Sequence, residues 1–516
     1  MKVIVTAAGQ SKRFFDAGYP LPKFMLPVFN STMIERVLKM FDYEDDFLIV
    51  TTTRLFFEFH VFFESLEDTF RNLEVVTVSE HKLGPVNTLM NEEVRQWVGP
   101  DDFVVSYCDF FLNWNYSLFL EHIRSSSPEG CIVSFKGMQP SSRGSTMFAY
   151  LRTKEQKVLE VREKTCFTDN RIEEHASAGV YYFKSYQIFE KGVRNTSSYF
   201  EKFEEQYVSL VYNGILNMGL NVSHFEVEQF VCLGTPKDYE EFLFWNTYFD
   251  SININIDGYK FADNKLIPMA GFGQRFRNLG ILVPKPFIPL RNRAMFIHAV
   301  EAFPQAEKSF VVVLEDHVDR VERAIVSTSS QVQVVALQKR TSGPGHTVLQ
   351  SLAAIPSEED LIVMSCDYDL RGDTKSFEDA IADTETKVVL FYTHYSEFRM
   401  NNPKAFAYCE TNEEGLVRRI IEKDLLSENP SEDKLLVGSF WFRNSEYLRI
   451  ALENARSNGR YINGELYIAN SLNELLELGI RIRAVPVTHW ISFGDPEEFE
   501  IYVWWETLFN SLLAEI

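Results

Sequence analysis

The sequence predicts an α/β protein built as two tandem domains, each organised around a mostly parallel sheet. Three observations carry that expectation. Short β-branched runs alternate with helical apolar spacing along both halves. A glycine-bearing stretch recurs at one fixed offset. The chain, at 516 residues, exceeds one ordinary core and suits two.

Taking the elements in order, the first half offers strand candidates at Lys2–Thr6, Phe47–Thr52, Glu74–Val78, Phe103–Tyr107 and Cys131–Phe135. Between them, Met33–Phe41 and Thr88–Trp97 carry the spacing of helices. The second half repeats the order, with candidates at Lys265–Met269, Ser309–Leu314, Val332–Ala336, Leu361–Ser365 and Lys387–Tyr392. Strands alternating with helices predict a mostly parallel sheet covered on both faces. In such sheets a ligand sits beyond the carboxyl ends of the strands, which is where the glycine stretches fall.

Those stretches are Val5–Pro27 and Pro268–Pro289. Gly9, Ser11, Arg13, Phe14, Gly18, Lys23 and Pro27 align without a gap with Gly271, Gly273, Arg275, Phe276, Gly280, Lys285 and Pro289. We read this as duplication of a whole domain. Both halves also close alike: residues 230–236 align with 490–496, and a helix follows each, with Trp245 and Phe249 matching Trp505 and Phe509. These aromatics are expected in core or inter-domain packing. The joint, Asp250 to Asn264, alternates Ser-Ile-Asn-Ile-Asn-Ile in a pattern that suits a β-ribbon. The expected domains are therefore 1–249 and 250–516.

Glycines let a loop bend tightly and bring backbone N–H groups up to phosphate oxygens. Arg and Lys then add fixed positive charge to the same oxygens. The formal charge of −22 argues against wrapping nucleic acid, which needs a basic surface. It also means that any phosphate site rests on local donors. No apolar run is long enough to cross a membrane. The first apolar run leads straight into the glycine loop, so the N-terminus is expected to belong to the fold and not to a signal peptide. The six cysteines show no C-x-x-C and no regular framework, which suits a reducing cytosol. The abundance of Phe, 44 residues, points to large cores, with an interface between the halves as the sharper reading.

These motifs resemble the sugar-phosphate nucleotidyltransferases, or nucleotide-sugar pyrophosphorylases, once per half, and in flavour the bacterial capsule and lipopolysaccharide type. The resemblance implies two Rossmann-like, GT-A-type domains that move a nucleotidyl group from a nucleoside triphosphate to a phosphorylated acceptor. It implies that Arg275 and Arg13 stabilise the leaving pyrophosphate, and that Lys285 and Lys23 bridge the α-phosphate and the incoming phosphate. Gly271, Gly273, Gly9 and Ser11 would offer backbone donors. The turn after the third strand, with Gly343 pairing Gly84, would hold base and ribose, with Gln338 as a base contact. Mg²⁺ would lie against Asp367 and Asp109 at strand ends, with Asp369 as a further candidate that has Phe111 opposite it in the first half. The position two residues before the late glycine, where the family often adds a second acidic ligand, holds Cys232 or Ser492, which argues against two-metal assistance. On the acceptor side stand Lys423, Gly438 and Glu465, with Lys164, Gly179 and Glu205 as their first-half partners.

The second half keeps the fuller motif set and is the expected catalytic half. Two other readings stay open: a GT-A-type glycosyltransferase using a nucleotide-sugar donor, and a non-catalytic ligand-binding role for one half. The sequence names neither the base nor the acceptor, for which sugar phosphates lead, and leaves a homo-oligomer open. A cytoplasmic enzyme without nucleic-acid or membrane partners is expected.

Overall fold

A computed structural model describes residues 1–144, 147–252, 260–271 and 273–513. They group into two compact units, Met1–Phe249 with Trp504–Ile516, and Asp250–Val503.

The first unit holds a nine-stranded sheet in the order Leu73–Val78, Asp46–Thr52, Lys2–Thr6, Phe103–Tyr107, His175–Phe183, Gly130–Phe135, Val222–Glu226, Lys157–Glu163, Ala149–Lys154. The first four strands run parallel. Val3, Ile4 and Val5 are fully buried, as expected of a strand covered on both faces. His175–Phe183 then runs antiparallel to both of its neighbours, so beyond the fourth strand the sheet is mixed. Thr6 lies opposite Tyr107, which brings the chain after both strands to one edge of the sheet. The helix Met33–Leu38 starts in a capping box, in which the Thr32 hydroxyl accepts from the Glu35 N–H and Glu35 accepts from the Thr32 N–H.

The second unit builds its sheet in the order Gln331–Leu337, Ala306–Leu314, Ala262–Pro268, Leu361–Val363, Lys434–Phe442, Val388–Thr393, Ile482–Ser492, Tyr368–Gly372. Its first four strands are again parallel, and the fifth again reverses. Ile482–Ser492 pairs parallel with Val388–Thr393 through its first half and antiparallel with Tyr368–Gly372 through its second. In the first unit two separate strands, Val222–Glu226 and Gln229–Cys232, do this work.

Two details differ from expectation and a third is untested. The helix expected over Thr88–Trp97 is two, Pro85–Leu89 and Glu92–Val98, because the Asn91 side chain caps a new helix start. The ribbon expected at the joint falls on residues 253–259, outside the described residues. The last helix, Pro496–Leu513, does not stay wholly with the second unit: Trp504 onward groups with the first. There Trp505 stacks on Trp245 at 5.9 Å and Phe509 on Phe249 at 4.5 Å, so the aromatics matched in sequence pack on one another.

Candidate active site

Each glycine loop leaves its first strand and enters a short helix, Lys12–Asp16 or Gln274–Asn278. The residue capping each helix is left-handed, Ser11 at φ 51° and Gly273 at φ 60°. Glycine adopts this freely; for Ser11 it costs about 1 kcal/mol. Both caps hold the lysine downstream. The Ser11 hydroxyl accepts from the Lys23 N–H at 3.1 Å, and a Cβ on Gly273 would come 2.9 Å from the Lys285 Cβ. Each lysine opens a single 3₁₀ turn directly after a proline, Pro22 or Pro284, whose fixed φ sets its direction.

Across the sheet edge waits the aspartate that follows the fourth strand. Lys23 Nζ donates to Asp109 Oδ2 at 2.6 Å, and Lys285 Nζ makes the same short contact with Asp367. The partners lie 86 and 82 residues apart in sequence. The late glycine leaves room for each pair: a Cβ on Gly234 or Gly494 would stand 3.1 Å from the aspartate oxygen. Burial works to raise the Asp367 carboxyl, but Lys285 and the Ser365 hydroxyl outweigh it and hold it below its ordinary value. Burial likewise works against the Lys23 ammonium, and Asp109 reverses it and raises that group. The Asp367 carboxylate and the Lys23 ammonium are therefore charged at neutral pH. The neighbouring Cys108 and Cys366 thiols are pushed up to about 12 by burial and stay protonated.

The second unit encloses a cavity of about 720 Å³. Gly273, Arg275, Lys285, Asp367, Lys423 and Gly438 all line it. Gly271, Gln338, Gly343 and Glu465 stand outside that lining. Gln338 is exposed just past the strand Gln331–Leu337. Gly343, at φ 101°, packs against Glu465, which accepts from the Tyr467 hydroxyl. In the first unit a cavity of about 750 Å³ is lined by Gly9, Ser11, Arg13, Lys23, Gly84, Asp109 and Glu205, among others, but not by Lys164 or Gly179.

Asp369 corrects the expectation of a second metal ligand. It is 1% exposed and points into the protein, where Arg371 lies at 3.2 Å and Arg291 at 3.9 Å. Alternation along a strand would put Asp367 and Asp369 on one face. Asp367, however, precedes the strand Tyr368–Gly372 in a bend, so the alternation begins after it.

Sequence reasoning missed several lining residues: Asn401, Asn402, Phe406, Trp490, Asp495 and Glu498. Asp495 sits 3.4 Å from Arg275 and accepts from Asn401 at 3.0 Å. Burial raises the Glu498 carboxyl, with Asp495 and Asp367 adding to it. A signal for both existed in the aligned endings, where Thr235 stands opposite Asp495 and Asp238 opposite Glu498. Among the described residues no group of three or more His, Cys, Asp or Glu is spaced to hold a metal ion. Mg²⁺ characteristically takes one or two carboxylates and completes its shell with water and substrate phosphates. Asp367, a carboxylate on the cavity wall, fits that mode.

Lys423 is left-handed at φ 59° and donates to the Ala405 carbonyl at 2.5 Å. Beside it, burial pushes the Glu422 carboxyl up to about 7, against the opposing pull of Lys423. The cavity thus joins a cationic edge at Arg275 and Lys285 to a wall of Phe406 and Trp490 carrying one acid poised near neutrality.

Residues 265–498 match the family model described as Nucleotidyl transferase. A bifunctional protein GlmU from Marinobacter nauticus is 31% identical over 38% of this chain and 42% of its own length. Another, from Methanococcus maripaludis strain C5, is 27% identical over 45% of this chain and 51% of its own. The chain thus spans about half the length of the curated relatives it matches. A solved nucleoside-diphosphate-sugar pyrophosphorylase from Vibrio cholerae RC9 is similar at 23% identity and TM-score 0.40, over 47% of this chain and 99% of that one. Over residues 265–498 the chain carries the sequence pattern of the nucleotidyl transferase family.

Proposed function

We propose that the protein transfers a nucleotidyl group from a nucleoside triphosphate to a phosphorylated acceptor, a sugar phosphate, and releases pyrophosphate. The product would be a nucleotide-activated sugar for surface polysaccharide synthesis in the cytoplasm. The observation that carries this reading is the Lys285–Asp367 pair, which lines a cavity of about 720 Å³ together with Arg275. The two units are read as duplicated copies of one such domain. Support comes from the shared offset, the repeated strand order, and left-handed residues at matched positions: Ser11 and Gly273, Gly84 and Gly343, Lys164 and Lys423, Gly179 and Gly438.

In the proposed reaction an acceptor phosphate oxygen attacks the α-phosphorus, and the bond to the β-phosphate oxygen breaks. Alignment and charge neutralisation dominate such a step. Lys285 holds the attacking phosphate and the α-phosphate together as charge moves between them. Arg275 takes the charge that develops on the leaving pyrophosphate. Lys423 holds the acceptor. Asp367 keeps Lys285 aimed and would hold Mg²⁺, which when bound neutralises triphosphate oxygens. A matrix of triphosphates against sugar 1-phosphates, read by pyrophosphate release from the intact chain, tests the proposal. Silence across the whole matrix would overturn it.

A further inference from the structure

The two units part company where the acceptor would sit. In the second, Tyr368, Phe406 and Trp490 line the open cavity. Their first-unit counterparts, Phe110, Phe148 and Phe230, instead gather round an added ring, Phe135. Phe135 stacks on Phe230 at 4.4 Å, Phe148 meets both edge-on at 5.2 and 5.6 Å, and Phe110 lies 5.7 Å from Phe230. Strand register identifies what Phe135 replaces. Gly130 pairs with Val222 as Val388 pairs with Ile482, which sets Phe135 opposite Thr393. Phe110 also covers Gly179, where an added Cβ would come 2.9 Å from the ring; over Gly438, Tyr368 leaves 3.8 Å.

The polar groups tell the same story. Glu163 is buried and accepts from the Ser209 hydroxyl at 2.6 Å. Ala469 stands where Ser209 would be, and its acid, Glu422, lines the cavity. Lys164 donates to the Tyr207 hydroxyl at 2.6 Å. Glu163 and Lys164 thus bond to side chains of their own unit, whereas Glu422 has no such serine and Lys423 turns to the Ala405 carbonyl.

The phosphate side of the first unit is kept. Its cavity runs from the glycine loop to the turn at Gly84 and Pro85, with Arg13, Lys23 and Lys82 on its walls and Asp109, Glu204 and Glu205 beside them. The position that puts Asp495 beside Arg275 holds Thr235, so that counter-charge is missing there.

We propose that the first unit is a binding site for a nucleoside triphosphate from which it transfers nothing. This rests on reading the second unit as the one that transfers. The test counts bound triphosphate per intact chain by equilibrium dialysis with ATP, CTP, GTP, UTP and dTTP, and follows pyrophosphate release in parallel with sugar 1-phosphates. Two bound triphosphates per chain are expected. Arg13→Ala is expected to weaken one site roughly 10- to 100-fold, the loss of a charge-assisted contact, and Arg275→Ala to weaken the other. Pyrophosphate release should follow the second site alone. A triphosphate count unmoved by Arg13→Ala overturns the inference. So does pyrophosphate release that survives Lys285→Ala and disappears when Arg13→Ala is added. Absence of release from the wild-type chain would instead sink the transfer reading, while the count would still decide this one.

Discussion

The two lysine–aspartate pairs are nearly superimposable in chemistry, yet their surroundings differ. Lys23 meets Asp109 and Lys285 meets Asp367 through the same strand ends, the same proline and the same late glycine. Backbone geometry fixes those features, and it recurs down to left-handed residues at matched positions. A few side chains separate the neighbouring chambers: Phe135 against Thr393 and Ser209 against Ala469, with Thr235 against Asp495 beside the arginine. A lysine–aspartate frame written into the backbone persists while the neighbouring chamber differs.

The largest expected effect tests whether that frame does chemistry. Asp367→Asn removes the charge that aims Lys285 and that is proposed to hold Mg²⁺, and should lower turnover on the order of 10²- to 10³-fold, measured as kcat for pyrophosphate release. A kcat within threefold of wild type would break the comparison at its core. Next, Lys423→Ala should raise the acceptor KM by roughly 10- to 100-fold and leave the triphosphate KM nearly unmoved, whereas Lys164→Ala should not shift the acceptor KM. Equal shifts from the two would mean that both chambers admit acceptor.

A third test uses Glu422. Its carboxyl is raised to about 7, so between pH 4.5 and 7 the folded chain binds more proton than the unfolded one, and stability falls as pH rises through that window. The associated loss is roughly 3 kcal/mol. Urea unfolding from pH 5 to 8 should show this slope in the wild type and a flatter one in Glu422→Gln. An unchanged slope would remove Glu422 as its source. The smallest effect lies in the first unit: Ser209→Ala strips the partner from Glu163 and should cost about 1 kcal/mol in the same assay, with no gain of turnover.

Much of this was legible in the sequence because it depends on local pattern. Leu361–Val363 aside, the expected strands of both halves end within one residue of those observed, since runs such as Val3-Ile4-Val5 suit only a buried strand. Arg275, Lys285 and Asp367, which line one cavity, were singled out through their recurrence. Asp369 was grouped with Asp367 by its closeness in sequence, but the bend before Tyr368 sends the two carboxylates to different surroundings. Asp495 and Glu498 were missed because their role arises only when the last strand folds back against Tyr368–Gly372. Phe135 was invisible as an occupant because nothing in its neighbours says which cavity a strand-end ring enters.

The most direct measurement sets Lys285→Ala beside Lys23→Ala in one pyrophosphate-release assay. The account predicts a loss on the order of 10³-fold for Lys285→Ala and more than a tenth of wild-type turnover for Lys23→Ala. Equal losses, or a loss confined to Lys23→Ala, would contradict it.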